Sequence, residues 1–209
     1  MNNIGSNAAL LALAGILFTA LNQTFGIWFK AYLDRRKKRN LIPMDKKLAF
    51  NLESDRLCLR LRKLLMADRV FLANFHNGGQ FKSGVSIDKF TVVGEDYTDD
   101  AGISLKRVYD NTLLSYAPFT FHKLLVEGHH YVEDVHCMHD KAMRKDLMAR
   151  GVKSLYLFMI KDLTGEPLGF IEIAFNCQHS IDDAQKISIW SYHNEFLNVI
   201  KMQKHEKHR

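Results

Sequence analysis

Apolar residues run from Ala8 to Phe29 without a charge among them, and Lys30 followed by Arg35, Arg36, Lys37, Lys38 and Arg39 closes the run. At about 1.5 Å rise per residue, such a run crosses the roughly 30 Å of hydrocarbon in a bilayer. Its basic exit marks the cytoplasmic side, and Trp28 and Tyr32 fall where amphipathic rings meet the interface. A secretory signal would carry its charge ahead of the apolar core, whereas residues 1–7 have neither Lys nor Arg. The pattern predicts a single-pass transmembrane anchor with its basic flank over residues 1–39, in an inner (cytoplasmic) membrane, with the rest of the chain cytoplasmic.

Residues 40–43 read as a linker, and Pro43 with Asp45 marks a helix start. Phe50, Leu57, Leu61, Leu64 and Leu65 then recur at helical period to about Met66. Arg69 to Phe75 reads as a buried strand ended by a turn at Asn77-Gly78-Gly79, and Val85 to Glu95 as a second strand. The stretch 96–118 has no clear period. Phe119 to Glu127 is predicted helical with Gly128 as its stop, His130 to Val132 a short strand, and Asp140 to Arg150 a helix capped by Asp140 and ended by Gly151. Val152–Ile160 and Leu168–Phe175 form two strands joined by a Gly-containing loop, Asp162 to Glu166. Ser180 is the expected cap of a closing helix with Ile189, Tyr192, Phe196, Val199 and Ile200 inward. This order predicts an α+β fold, an antiparallel sheet flanked by helices over residues 44–204, with residues 96–140 crossing its open face and 205–209 a basic tail.

Charge changes the picture less than its total suggests. The formal balance is +6, but residues 30–39 carry +5, residues 201–209 carry +3, and residues 40–200 sum to −2. A nucleic-acid-binding domain needs its basic stripe on the domain itself, so nucleic acid is not an expected partner. The juxtamembrane cluster suits anionic membrane lipid instead. Cys58, Cys137 and Cys177 have no paired spacing, and a reducing compartment argues against disulfides.

Two segments resemble the GAF domain, a relative of the PAS fold: Met66 to Gly78, and Leu147 to Tyr156 read with Phe158-Met159-Ile160 and Thr164 to Phe170. The resemblance covers residues 44–203 and implies a small-molecule sensor and dimerisation module. Asn77-Gly78 with Lys89-Phe90 and Glu95 also looks like GAF-like proteins encoded by bacteriophages. The cyclic-nucleotide signature of the family is not carried, because Gly94-Glu95 follows Phe90 where an acidic pair would be needed. Nor do the cysteines match the methionine-sulfoxide reductase branch or a bilin-attachment site.

His76, at the sheet rim, is a candidate ligand contact, with Asn77, Phe90, His136 and Glu172 beside it. Period two places Glu172 with Phe170 and Ala174, toward the open face. His129, His130, His136, Cys137 and His139 are the densest potential metal ligands, but their spacing suits a polar pocket lining better than zinc, so no metal or cofactor is expected. No nucleophile elbow, phosphate loop or H-E-x-x-H is present, and an enzyme using His76 or His136 as acid-base group lacks a partner residue. The expected function is therefore non-enzymatic: a membrane-anchored sensor or adaptor binding a small molecule or protein partner. Homo-oligomers are expected through the first and last helices and Asn22-Gln23-Thr24 in the anchor. The rival reading is a membrane-active structural protein, such as a phage lysis factor or regulator.

Overall fold

The computed structural model of the chain describes residues 21–32, 44–80 and 86–204. Residues 21–32 are helical (α1) and exposed, with Trp28 stacked on Tyr32 at 5.9 Å and Phe25 on Phe29 at 6.1 Å. Among the described residues no helix is long and apolar enough to cross a membrane. Most of the expected anchor before Leu21, and Arg35, Arg36, Lys37, Lys38 and Arg39, lie outside the described residues.

Helix α2 (Met44–Leu65) buries Phe50, Ser54, Leu57, Cys58, Leu61 and Leu65, a ladder of three- and four-residue steps. Leu64 is one position off that ladder and stays 51% exposed, so the expected stripe is corrected there. Strands β1 (Arg69–Gln80) and β2 (Ser86–Tyr97) follow, then the two-residue β3 (Thr112–Leu113), helix α3 (Pro118–Glu127), β4 (His129–Val132) and helix α4 (Lys141–Ala149). Strands β5 (Ser154–Lys161) and β6 (Pro167–Phe175) form the strong hairpin, and helices α5 (Asp183–Ser191) and α6 (His193–Lys204) close the domain.

The six strands form one antiparallel sheet in the order β3-β2-β1-β6-β5-β4. Alternation sorts its side chains: Val70, Leu72, Ile171 and Ile173 join α2, α5 and α6 in one core. Phe71, Ala73, Phe170 and Ala174 join residues of α3, α4 and the 105–117 segment in another. The backbones approach closely at two glycines. A Cβ on Gly94 would lie 2.5 Å from Ser54 Cβ of α2, and one on Gly169 would lie 2.1 Å from the carbonyl oxygen of Ala73.

Four expectations change. The turn at Asn77-Gly78-Gly79 is strand instead: β1 runs on to Gln80, and the ladder passes through a register irregularity between Asn77 and Gln80. Among the described residues both faces of the sheet are packed against helices, so the expected open face is a second core. The closing helix is capped by Asp182, not Ser180, through a capping box with Gln185 whose amide donates at 2.7 Å, and it divides at Tyr192. Asp140 precedes α4 but does not cap it with its side chain.

Candidate functional site

Of the expected contacts, Phe90 and Glu172 lie on the second face of the sheet and are 2% exposed. Phe90 packs into an aromatic cluster with Phe170 at 5.2 Å, Phe121 at 5.6 Å and Tyr109 at 5.7 Å. The side chains of the 105–121 stretch therefore occupy the space where a ligand was expected between sheet and crossing chain. His76 is half-buried, its Nε2 3.0 Å from Thr91 Oγ1, and Thr91 donates to Asp110 Oδ1 at 3.2 Å. Asn77 pairs with Asp88 in the β1–β2 ladder. His136 is exposed on a short 3-10 turn, Val135–Cys137, and its own amide donates to Asp134 Oδ1 at 2.9 Å. Phe90 and Glu172 are buried and His136 is exposed, so these three do not share one surface.

The second face holds more charge than the Glu172 expected there. Glu172 accepts from Arg150 at 3.4 Å, Arg150 also reaches Asp146 at 3.1 Å, and the Tyr109 hydroxyl donates to Asp146. Burial pushes the Glu172 carboxyl up, and the Arg150 guanidinium pulls the other way. A second cluster sits on the neighbouring strands: Arg69 lies 3.5 Å from Glu95 and 4.5 Å over the Tyr97 ring, and it donates to the Ala101 carbonyl. Glu95 also accepts from the Leu105 amide at 2.8 Å and from Ser104. Arg69 shares a face with Phe71 and Ala73 by period two, so its burial was legible in principle. Nothing in the sequence around Arg150 marks it as half-buried on this face. These groups tie the irregular 99–110 chain to the sheet and are satisfied by one another, which fits structural pairing rather than chemistry.

The open volume lies elsewhere. Between the outer wall of α3 and the chain from β4 to Asp140 is a cleft of about 650 Å³. Phe119, His122, Lys123, Val126 and Glu127 form one wall, and His130, Asp134, Cys137, Met138 and His139 stand opposite. Phe119 and Val126 on the α3 wall are 68% and 70% exposed. Asp140 sets the geometry: its carboxylate accepts from the Thr120 amide at 2.7 Å, the Thr120 hydroxyl at 2.6 Å and the Phe119 amide at 3.2 Å. It thus caps α3 across the cleft, where Ala117 has no side-chain oxygen to do so. Among the described residues His130 Nδ1 is buried without a hydrogen-bond partner, and burial lowers the ring's pKa. The histidine-rich set does not converge: His129 stacks on Tyr156 at 6.0 Å, and His139 lies 5.8 Å from Phe119. Among the described residues, no three His, Cys, Asp or Glu side chains are grouped to hold a metal ion.

No family model and no curated protein matches the sequence. Solved structures do match. The phycocyanobilin-bound GAF domain from a cyanobacterial phytochrome is similar with a TM-score of 0.58 and 16% identity over 86% of this chain and 95% of that one. A GAF domain/HD domain protein from Geobacter sulfurreducens has a TM-score of 0.55 and 16% identity over 74% and 94%. A type II free methionine-R-sulfoxide reductase from Thermoplasma acidophilum has a TM-score of 0.51 and 14% identity over 74% and 94%. The domain has the GAF fold. One such neighbour holds a bilin and another is an enzyme, so the likeness carries architecture and leaves chemistry to this chain's own residues. Here Cys58 is buried in the first core, where burial pushes its thiol up, while Cys137 and Cys177 are free and exposed.

Proposed function

We propose that the chain is a membrane-tethered adaptor whose GAF-fold domain recognises its target in the cleft between α3 and β4. The carrying observation is a contrast: the sheet face expected to hold a small molecule is packed with aromatic side chains, and the 650 Å³ cleft beside it is open and walled by exposed Phe119 and Val126. A cleft of this size suits a ligand or an inserted segment. In this reading residues 8–29 anchor the chain, the basic flank sets its orientation and meets anionic lipid, and the domain works at the cytoplasmic surface of an inner membrane. Self-association through the exposed Met44, Leu48 and Leu52 of α2 would increase avidity for a partner. The likeness of Asn77-Gly78, Lys89-Phe90 and Glu95 to phage-encoded members belongs to the same proposal.

Two measurements test it. The full chain should fractionate with membranes, its C-terminus protected from protease added outside the cell. Purified in detergent and screened by thermal shift against metabolites and peptides, it should give a stabilising hit that Val126→Arg abolishes, with the unliganded melting temperature unchanged because Val126 is exposed. A soluble full chain would remove the tether, and a hit indifferent to Val126→Arg would move recognition away from the cleft.

A further inference from the structure

The cleft has a counterpart on the other face of the same strand. Tyr131, Glu133 and Asp134 also border a hollow of about 280 Å³ completed by Gln178, His179 and Ser180. Tyr131, Glu133 and Asp134 are common to both spaces, so the two flank the end of β4. Strand β4 is an edge whose one neighbour in the sheet is β5. The Met159 amide donates to the Gly128 carbonyl at 2.8 Å, and the register continues through His130↔Leu157 and Val132↔Leu155. In an antiparallel ladder hydrogen-bonded pairs alternate, so His130 and Val132 exchange bonds with β5 while the N–H and C=O of His129 and Tyr131 point to the outer side. An edge of this kind is a template for another strand. Side chains of an added strand alternate between the two faces, and here each face has a hollow to receive them.

The charge of the site limits what that strand can be. Glu127 and Glu133 are exposed and hold no ion pair among the described residues, and Asp134 adds a third carboxylate, against Lys123 alone. Asp140 is occupied by the N-terminus of α3. Resting on the adaptor reading above, we propose that β4 takes an extended, basic peptide segment of a partner protein as a seventh strand, alternate side chains filling the hollows on either side. Backbone pairing would supply the affinity, and Glu127, Glu133 and Asp134 would supply the preference for Lys and Arg.

The test uses the full chain in detergent and fluorescein-labelled eight-residue degenerate peptides, one library with Lys or Arg fixed at alternate positions and one with Asp or Glu there, read by fluorescence polarisation. The basic library should bind at least about tenfold more tightly, and Glu133→Lys should remove most of that preference without changing the melting temperature. N-methylation of alternate peptide amides should weaken binding about tenfold, because each methyl removes a donor to the edge of β4 while leaving the protein untouched. Equal binding of the two libraries, or indifference to N-methylation, overturns strand addition. If that binding is still abolished by Val126→Arg, the cleft remains the recognition site and only the mode of recognition fails. Absence of binding by both libraries overturns the proposal, and a metabolite hit sensitive to Val126→Arg would then leave the cleft reading standing. A peptide of residues 30–43 competing better than the library would make the occupant this chain's own basic segment, and the partner assignment would fall.

Discussion

The two faces of the sheet are both buried but are built on different terms. The α2–α6 face is filled by Leu, Ile, Val and Phe, and its buried Tyr156 phenol is pushed up to about 12 by burial alone. The α3–α4 face sets aromatic rings around Phe170 and adds a part-buried ion pair, Arg150 with Glu172, and a buried one, Arg69 with Glu95. An apolar face is held by area removed from water and tolerates no charge. The charged face is held by geometry, each partner compensating the other's desolvation. What covers each face follows from this difference. Regular amphipathic helices suffice for the first, whereas the irregular chain at 99–110 stays on the second because Glu95 and Arg69 bind its backbone.

The hardest test of the comparison is a charge placed on the apolar face. Leu57 is 1% exposed within the first core, so although homo-oligomers are expected through the first helix, this residue does not face a partner. Leu57→Ala should cost about 2–5 kcal/mol, and Leu57→Asp should unfold the domain outright, since it adds an unpaired buried carboxylate. Urea denaturation monitored by circular dichroism would measure both. A folded Leu57→Asp chain that merely changed its oligomeric state would return this residue to an interface and dissolve the distinction between the faces.

Next in size is the pair on the other face. Arg150→Met leaves Glu172 buried without its main partner and should cost about 3–5 kcal/mol, whereas in Glu172→Gln the guanidinium keeps Asp146 at 3.1 Å and less is lost. The double substitution Arg150→Met with Glu172→Met should cost much less than the sum, a non-additivity that a double-mutant cycle reads directly. Burial already raises the Glu172 carboxyl, so without Arg150 it rises further. A group with a raised folded-state pKa adds stability that is present at low pH and lost as pH rises through that pKa. Arg150→Met should therefore regain stability on acidification relative to the native chain. Additive costs at neutral pH would mean that the charges act separately.

The same asymmetry explains what could be read from the sequence. Period alone places α2, β1, β5, β6 and the inward residues of α6, because an apolar face leaves a regular trace. It also puts Glu172 on the correct side of β6, though what lies there is a second core. The trace fails where polar groups organise the chain. Arg150 looks like an ordinary C-terminal helix residue, the strand through Asn77-Gly78-Gly79 reads as a turn until its partner is known, and the Asp140 bond to Thr120 joins residues 20 apart. Of the five candidate contacts, none lines the cleft, while His130, His139 and Cys137, weighed as metal ligands, do. Residue types drew attention to the loop that lines the cleft, but only the packing of α3 against β4 makes the space.

Asp140 gives a smaller effect with a sharper local readout. Its carboxylate is the cap of α3, so Asp140→Ala should cost about 1–2 kcal/mol of stability. Amide exchange should accelerate first at Phe119 and Thr120, with α2 and α6 unaffected, since the cap serves only the charged side of the sheet. Asp140→Asn keeps an acceptor and should recover part of the loss. Uniform acceleration through both faces would show that they do not open separately.

The smallest predicted effect concerns His130, which joins the second face to the cleft. Burial, followed by Lys123, lowers its pKa from the usual 6.5, while Glu127 and Asp140 oppose that shift and His129 adds to it. The folded domain therefore holds His130 neutral at pH values where the unfolded chain has begun to take up a proton. The sign follows: stability is unaffected by this group above 6.5 and declines as pH falls from there toward the folded-state value, because the unfolded state binds the extra proton. His130→Gln should flatten this limb of the stability profile and leave the neutral-pH value almost unchanged. An NMR titration of the ring gives the same quantity directly. A basic segment seated in the cleft should lower the His130 pKa further and an acidic one should raise it, so the direction of the shift on adding peptide reports the charge of the occupant. If the free domain titrates above 6.5, His130 is not the desolvated imidazole described above, and its buried Nδ1 is being satisfied by a proton shared with Glu127 or Asp140.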